Sequence, residues 1–400
     1  MKHIWIINHH ALTPDMGGGT RHFDFAKELI KKGYKVTIIA SSYHYSKYQE
    51  MKVYPKDQNH LLETLQGVDL IWIKTPPYKG NGFSRVKNMF SFMFSLLRVI
   101  PHLQLQKPDT IVGSSVHLFA VYGAYVLSKK YKAKFIMEVR DLWPKTLIDM
   151  GFSKWHPFII LLGWLEKFLY KRARSIITNL PLAHRYIERF TDKQKIHWIS
   201  NGVDLSSVSE QYENKLDNAK FNVLYAGAHG MANDLERLVE VAYKLKQDKT
   251  IYFTLIGDGA LKASLIQKSE TYGLTNIQFL PSVSKDKVQE YLKSADLLYV
   301  GLKNLPLYKY GMSMNKVFDY MAAKKPILFV SAIEHNIVDQ ANCGEVIKTQ
   351  NLDDTLHAIK RFSTMAKTTL ETLGNNGYNF LIKNYDTKVL AQKFEEVLQR

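Results

Sequence analysis

Cysteine is almost absent from this 400-residue chain, with Cys343 its single example. One thiol excludes an internal disulfide framework and fits a reducing compartment. No stretch approaches the roughly 18 uninterrupted apolar residues that a membrane-spanning helix needs. Low-complexity and Ser/Gly-rich tracts are missing too, and 46% apolar content supplies sizeable cores, so a disordered chain is excluded. Acidic residues are scarce, 37 against 54 Lys and Arg, for a formal net charge of +17. There is no His-Glu-x-x-His, no cysteine cluster and no Asp-x-Asp pair at a strand end, so neither a metal centre nor a cofactor is expected. A G-x-S-x-G elbow is lacking, which removes the anchor for that hydrolase chemistry. Without zinc-finger spacing, an RNA-binding aromatic motif or a helix-turn-helix, the positive charge is not read as specific nucleic-acid binding. The remaining partners for it are an anionic membrane surface and phosphorylated substrates.

What is present is an alternation of strands and helices. Residues 3–8 are a short apolar run, and the opening MKHIWIINHH turns polar too soon for a secretory leader. The Gly17-Gly18-Gly19 turn and an amphipathic helix from about Thr20 to Lys32 follow, then a strand at 34–40. Further strands are expected at 68–74, 110–113, 134–139, 175–178 and 195–199. After the Ser200–Asp204 turn and a polar stretch, the pattern restarts with strands at 221–226, 251–256, 277–280, 297–300 and 327–330. Such alternation predicts two α/β, Rossmann-like doubly wound domains facing an interdomain cleft. The expected boundaries are 1–205 and 206–385, with a last helix, 386–400, packing back on the first domain. Four hundred residues also exceed what one core usually supports.

The chemistry gathers at strand ends. Residues 311–328, GMSMNKVFDYMAAKKPIL, place Ser313, Met314, Asn315 and Lys316 at the start of a short helix, with Asp319 three residues on. A helix N-terminus suits a phosphate, and a carboxylate one turn in can hold a diol such as ribose. The pattern points to a nucleotide-sugar site, although a capped surface helix has the same look. Gly17, Gly18 and Gly19 follow the first strand, and Gly227-Ala228-His229-Gly230 follows the first strand of the second half. Both turns let backbone N–H groups approach a ligand, and neither has the dinucleotide spacing. His229 is positioned by sequence to donate to a diphosphate, or else to bond a loop carbonyl. Ile256-Gly257-Asp258-Gly259 reads as a structural turn. Glu138, Arg140 and Asp141, beside Trp143-Pro144, suggest either a polar site wall or an internal Arg–carboxylate pair.

Two segments combine aromatic and aliphatic residues with cations: 83–105 with Arg85, Lys87 and Arg98, and 155–174 ending in Lys171, Arg172 and Arg174. Both have the composition of interfacial helices that lie on an anionic bilayer, and equally of core helices with basic caps.

In this order, GGGTRHFDFAKELIKKGYKVTIIA, EVRDLWPKTLIDMG, SNGVD, YAGAHGMANDLERL, IGDG, FLPSVSKDKVQEYLKSADLLYV and NKVFDYMAAKKPIL cover nearly the whole chain. Together they resemble the family 4 retaining glycosyltransferases of the two-Rossmann-domain GT-B architecture. Within it the chain is similar to bacterial O-antigen and capsule enzymes of the N-acetyl-L-fucosamine transferase type. The resemblance implies transfer of a sugar from a nucleoside diphosphate, UDP ahead of GDP, to a polyprenyl-diphosphate-linked acceptor. It also implies a cytoplasmic protein, peripheral on the inner face of the cell membrane. Gly17–Gly19 would lie beside the donor diphosphate and the acceptor, and Asp319 would hold the ribose. Gly311 stands where the family carries a sugar-binding carboxylate. Ala228, His229, Gly230 and Met231 replace its usual Arg and Lys, so Lys316 is expected to provide the charge on the diphosphate. Arg140 and Asp141 occupy the place of a His-Asp-like wall. A nucleotide-sugar 2-epimerase of the same shape and a non-catalytic basic peripheral protein are the alternatives.

Overall fold

The computed structural model describes residues 1–80, 82–115 and 117–400, without the side chains at 207, 285, 286 and 307. The chain divides into two compact units, 1–201 with 387–400, and 202–386.

The strands of the first unit are β1 (His3–Ile7), β2 (Lys35–Ala40), β3 (Tyr43–His44), β4 (Gln49–Glu50), β5 (His60–Leu65), β6 (Val68–Ile73), β7 (Thr110–Ser115), β8 (Lys134–Val139), β9 (Ser175–Thr178) and β10 (Ile196–Trp198). Eight of them form one sheet in the order β10-β9-β8-β7-β1-β2-β6-β5. Every pair is parallel except β5 with β6. Runs such as HIWII in β1 are buried at every position, as a sheet covered on both faces requires. The antiparallel edge was not expected from sequence. It is a hairpin through Gln66 and Gly67, both at positive φ (50° and 82°), the conformation that matches strand twist in a two-residue turn. HLLETL is only partly buried, so its apolar signal is weak. β7 also runs to Ser115, two residues past its expected end.

The closing helix Thr387–Gln399 packs on the helix Arg21–Lys31 within this unit. Phe394 is fully buried with its ring 5.2 Å from Phe25, a burial of roughly 1.5–3 kcal/mol. Lys32 and Glu395 pair at 2.5 Å at its rim.

The second unit has β11 (Phe221–Ala226), β12 (Ile251–Ile256), β13 (Ile277–Leu280), β14 (Leu297–Gly301), β15 (Ile327–Val330) and β16 (Gly344–Ile347). They form an all-parallel sheet in the order β13-β12-β11-β14-β15-β16. β16 was missed by sequence reasoning. It is short and opens with Gly344, where a Cβ would lie 1.9 Å from the Ile327 carbonyl oxygen.

Strand order reverses between β1 and β7 in one sheet and between β11 and β14 in the other. Ligands in doubly wound folds gather at such switch points, beyond the carboxyl ends of the strands. Among the described residues, no helix is long and apolar enough to cross a membrane.

Candidate active site

At the switch point of the second unit, β11 ends in Tyr225-Ala226 and runs into the 227–230 loop. Backbone bonds from Gly227 to Ile256 and from His229 to Asp258, both 2.9 Å, lay this loop along the turn after β12. That contact explains the Gly257–Gly259 turn. A Cβ at Gly257 would lie 1.9 Å from the Gly227 oxygen, and one at Gly259 2.6 Å from the His229 oxygen. The expected structural role of that turn is therefore specific: it is the bed of the glycine loop.

Lys316 belongs to the helix Asn315–Ala322, whose N-cap, Met314, makes no side-chain cap bond. Its ammonium donates to the Tyr225 hydroxyl (2.8 Å) and to Asn233 Oδ1 (3.0 Å), and lies 4.3 Å from the Tyr225 ring centre. Tyr225 and Asn233 Nδ2 both donate to the Ala228 carbonyl, at 2.8 and 2.9 Å. Gly227 makes the room: a Cβ there would sit 2.9 Å from Lys316 Nζ. Burial pulls the Lys316 amine down to about 7. Tyr320, one turn further along, accepts from the Ala226 N–H at 2.8 Å and fixes the helix to the strand end.

His229 is fully buried, and neither ring nitrogen has a hydrogen-bond partner among the described residues. Burial first, with the Lys262 charge, lowers its pKa and keeps the ring neutral. Asp319 is half-buried one turn into the helix, Asn315 is exposed, and Met314 and Gly230 are half-buried.

In the first unit, Gly17, Gly18 and Gly19 form an exposed turn after β1. Gly17 and Gly18 have φ of 75° and 100°, and a Cβ on Gly18 would lie 2.7 Å from Leu12. Glu138 is not a site wall. Its side chain is buried and accepts from Arg21 (3.0 Å), His22 (2.5 Å) and Ser114 (2.6 Å). Burial works against its charge, but His22 and Arg21 outweigh this and hold Glu138 well below the usual carboxylate range. The internal-pair alternative thus describes Glu138, with Arg21 as the partner instead of Arg140. Arg140 is half-buried, its N–H bonded to Ser115 Oγ at 3.1 Å, and Asp141 is exposed.

The sequence matches two family models end to end: Glycosyltransferase Family 4 over residues 16–207 and Glycosyl transferases group 1 over residues 209–380. The chain is a GT-B glycosyltransferase. It is 23% identical over 301 residues to WcaI of Escherichia coli K12, a protein assigned as a glycosyl transferase of colanic acid biosynthesis, covering 71% of this chain and 73% of the relative. Its fold is similar to that of sucrose-phosphate synthase from Thermosynechococcus elongatus, with TM-score 0.75 and 15% identity over 100% of this chain and 98% of the other. It also resembles Anabaena HepE, solved in complex with UDP, with TM-score 0.67 and 13% identity over the whole of both chains.

Several residues of this glycosyltransferase site escaped sequence reasoning. Tyr225 and Asn233, which hold Lys316, lie in a strand and a loop with no motif of their own. Tyr225 is the last but one residue before a glycine loop, and that position is the only signal it gives. Three buried histidines stand at the other switch point. His117 accepts the Ala120 N–H through Nδ1, and its Nε2 lies 2.6 Å from His9 Nδ1. His9 stacks between Phe92 and His10, with ring centres at 4.2 and 4.3 Å. Burial keeps all three neutral, His10 down to about 3.

Proposed function

We propose that this glycosyltransferase moves a sugar, an N-acetylated hexosamine or deoxyhexosamine, from UDP to a polyprenyl-diphosphate-linked saccharide with retention of configuration. The product class is bacterial surface polysaccharide of the O-antigen or capsule kind. The observation that carries the donor reading is Lys316: an amine whose only partners among the described residues are neutral, beside a glycine loop and an uncapped helix start, at a topological switch point. Such a place suits a diphosphate. HepE, of the same fold, has been solved with UDP, which supports the same reading.

In this mechanism the amide of Gly230 and the ammonium of Lys316 stabilise the leaving diphosphate, and His229 Nε2 or Nδ1 donates to it once the ring is reached, while the Gly227 N–H stays bonded to Ile256. Met314, Asn315 and the helix start line the donor, Asp319 takes the ribose hydroxyls, and Gly17–Gly19 bring backbone close to the donor and acceptor. The bond from the anomeric carbon to the diphosphate breaks as the acceptor oxygen bonds the same face. The acceptor proton passes to the departing phosphate oxygen. Arg140 and Asp141 orient the acceptor.

The lipid-linked acceptor places the enzyme on the cytoplasmic face of the cell membrane. Supporting this, helices Phe83–Val99 and Pro157–Arg172 both pack on the helix Leu118–Tyr131. They leave Phe94, Ile160, Leu161 and Trp164 exposed, beside Trp155.

Loss of one charge-assisted contact to a leaving group costs about 2–4 kcal/mol in the transition state, so Lys316→Ala lowers kcat on the order of a hundredfold or more. Turnover of the variant within a few-fold of wild type at saturating UDP-sugar would remove Lys316 from the mechanism.

A further inference from the structure

An ammonium group has three N–H bonds to place, and Lys316 has two acceptors. They are the Tyr225 hydroxyl, which accepts because its own proton goes to Ala228, and Asn233 Oδ1. A neutral amine satisfies both. No third acceptor and no carboxylate pairs with the amine among the described residues, so in the free protein the additional proton brings a charge that faces the Tyr225 ring and no anion.

The groups around it are neutral or engaged elsewhere. From β11 comes Tyr225 and from β14 Tyr299, both with hydroxyls that burial pushes far above their ordinary range. The loop contributes His229, neutral and buried. Beyond it, Asp258 and Lys262 pair with each other at 3.0 Å. On its own helix stand Tyr320, bonded to Ala226, and Asp319 three residues on. Holding a desolvated cation without a counter-charge is costly, and burial accordingly lowers the affinity of Lys316 for its proton.

We propose that Lys316 is charged by its ligand: a nucleoside diphosphate sugar supplies the missing anion, and its binding takes up a proton at this amine. This deepens the donor reading above and rests on it. Donor affinity is then tied to pH through one residue, and the site is cationic only while occupied.

Calorimetry with UDP-glucose, UDP-N-acetylglucosamine and GDP-mannose, in buffers of different ionisation enthalpy, counts the protons. These probes are used because a diphosphate esterified at both ends does not itself titrate between pH 6 and 8. With a free-state value of about 7, binding takes up about nine-tenths of a proton at pH 8 and about a tenth at pH 6, and affinity is about tenfold weaker at pH 8. Lys316→Arg, which stays charged at both pH values, binds with no uptake and a flat pH profile. Should that variant misfold by circular dichroism, Lys316→Met serves, with weaker binding and again no uptake. Binding to wild type with a buffer-independent enthalpy at pH 8 overturns the proposal and leaves the donor site standing. Uptake that persists in the variant also overturns it and moves the proton to His229. No binding of any of the three overturns the donor reading itself.

Discussion

Gly227 is the residue on which the proposed donor site turns. Its φ of 150° disfavours a side chain, and a Cβ would press on Lys316 Nζ at 2.9 Å and on the Tyr225 hydroxyl at 3.1 Å. Gly33 has a comparable backbone demand, φ 85°, with nothing within 4 Å of its Cβ position. Strained backbone of this kind costs of order 1–3 kcal/mol. Gly227→Ala is therefore expected to lose stability and nucleotide affinity together, and Gly33→Ala stability alone. Titration of both variants with UDP-glucose separates the two effects. Equal affinity in both would mean that the loop does not position Lys316. At this scale sequence reasoning singled out Lys316 and Asp319, because a cation and a carboxylate at a helix start carry their own chemical signal. It did not find Tyr225 or Asn233, whose importance comes only from the amine that three-dimensional packing places on them.

The helix Pro157–Arg172 shows what an element adds. Ile159, Leu162, Leu165 and Leu169 face the core, while Ile160, Leu161 and Trp164 face out, so it is apolar on two sides. The core-helix reading describes its buried face, and the exposed apolar face is the one the membrane proposal uses. Its buried face also holds Glu166, which accepts from Tyr170 and Tyr186 at 2.9 Å each. Burial pushes that carboxyl up to about 7. A folded pKa above the ordinary value of 4.5 means the folded state binds more protons than the unfolded one between them. Stability contributed by this group is thus present below about pH 4.5 and lost as pH rises toward 7. Glu166→Gln keeps the shape and removes the titration. Its melting temperature is expected to exceed that of wild type at pH 8 by a few degrees, roughly 4 °C per kcal/mol for a protein unit of this size, and to converge with it near pH 4.5. A pH-independent difference would contradict the assignment. The strands were legible in advance because fully buried parallel strands read as apolar runs. β5 and β16 were not, since both are only partly buried and neither reads as a continuous apolar run.

For the whole molecule, the two Rossmann-like units and the net charge of +17 are its most general features. Alternating apolar runs and helical periodicity were enough to reveal two α/β halves, since that pattern has few alternative folds. The partner of the charge is a matter of surface arrangement, which composition does not encode. Attraction to an anionic surface is screened by salt, whereas insertion of Trp155 and Trp164 is not. The membrane proposal predicts sedimentation with anionic vesicles at low salt, weakened but not abolished at 0.5 M salt, and lost in Trp155→Ala/Trp164→Ala. Equal sedimentation of the double variant would reduce the contact to charge alone, and no sedimentation at low salt would remove the membrane from the account.

The donor site in the second unit is the central claim, and thermal unfolding with and without nucleotide tests it most directly. UDP and UDP-sugars at a hundredfold excess over Kd should stabilise the enzyme by about 2.7 kcal/mol, a shift that Asp319→Ala diminishes and Lys316→Ala diminishes further. An unchanged melting temperature with UDP, GDP and their sugars at millimolar concentration, in wild type as in both variants, would contradict it.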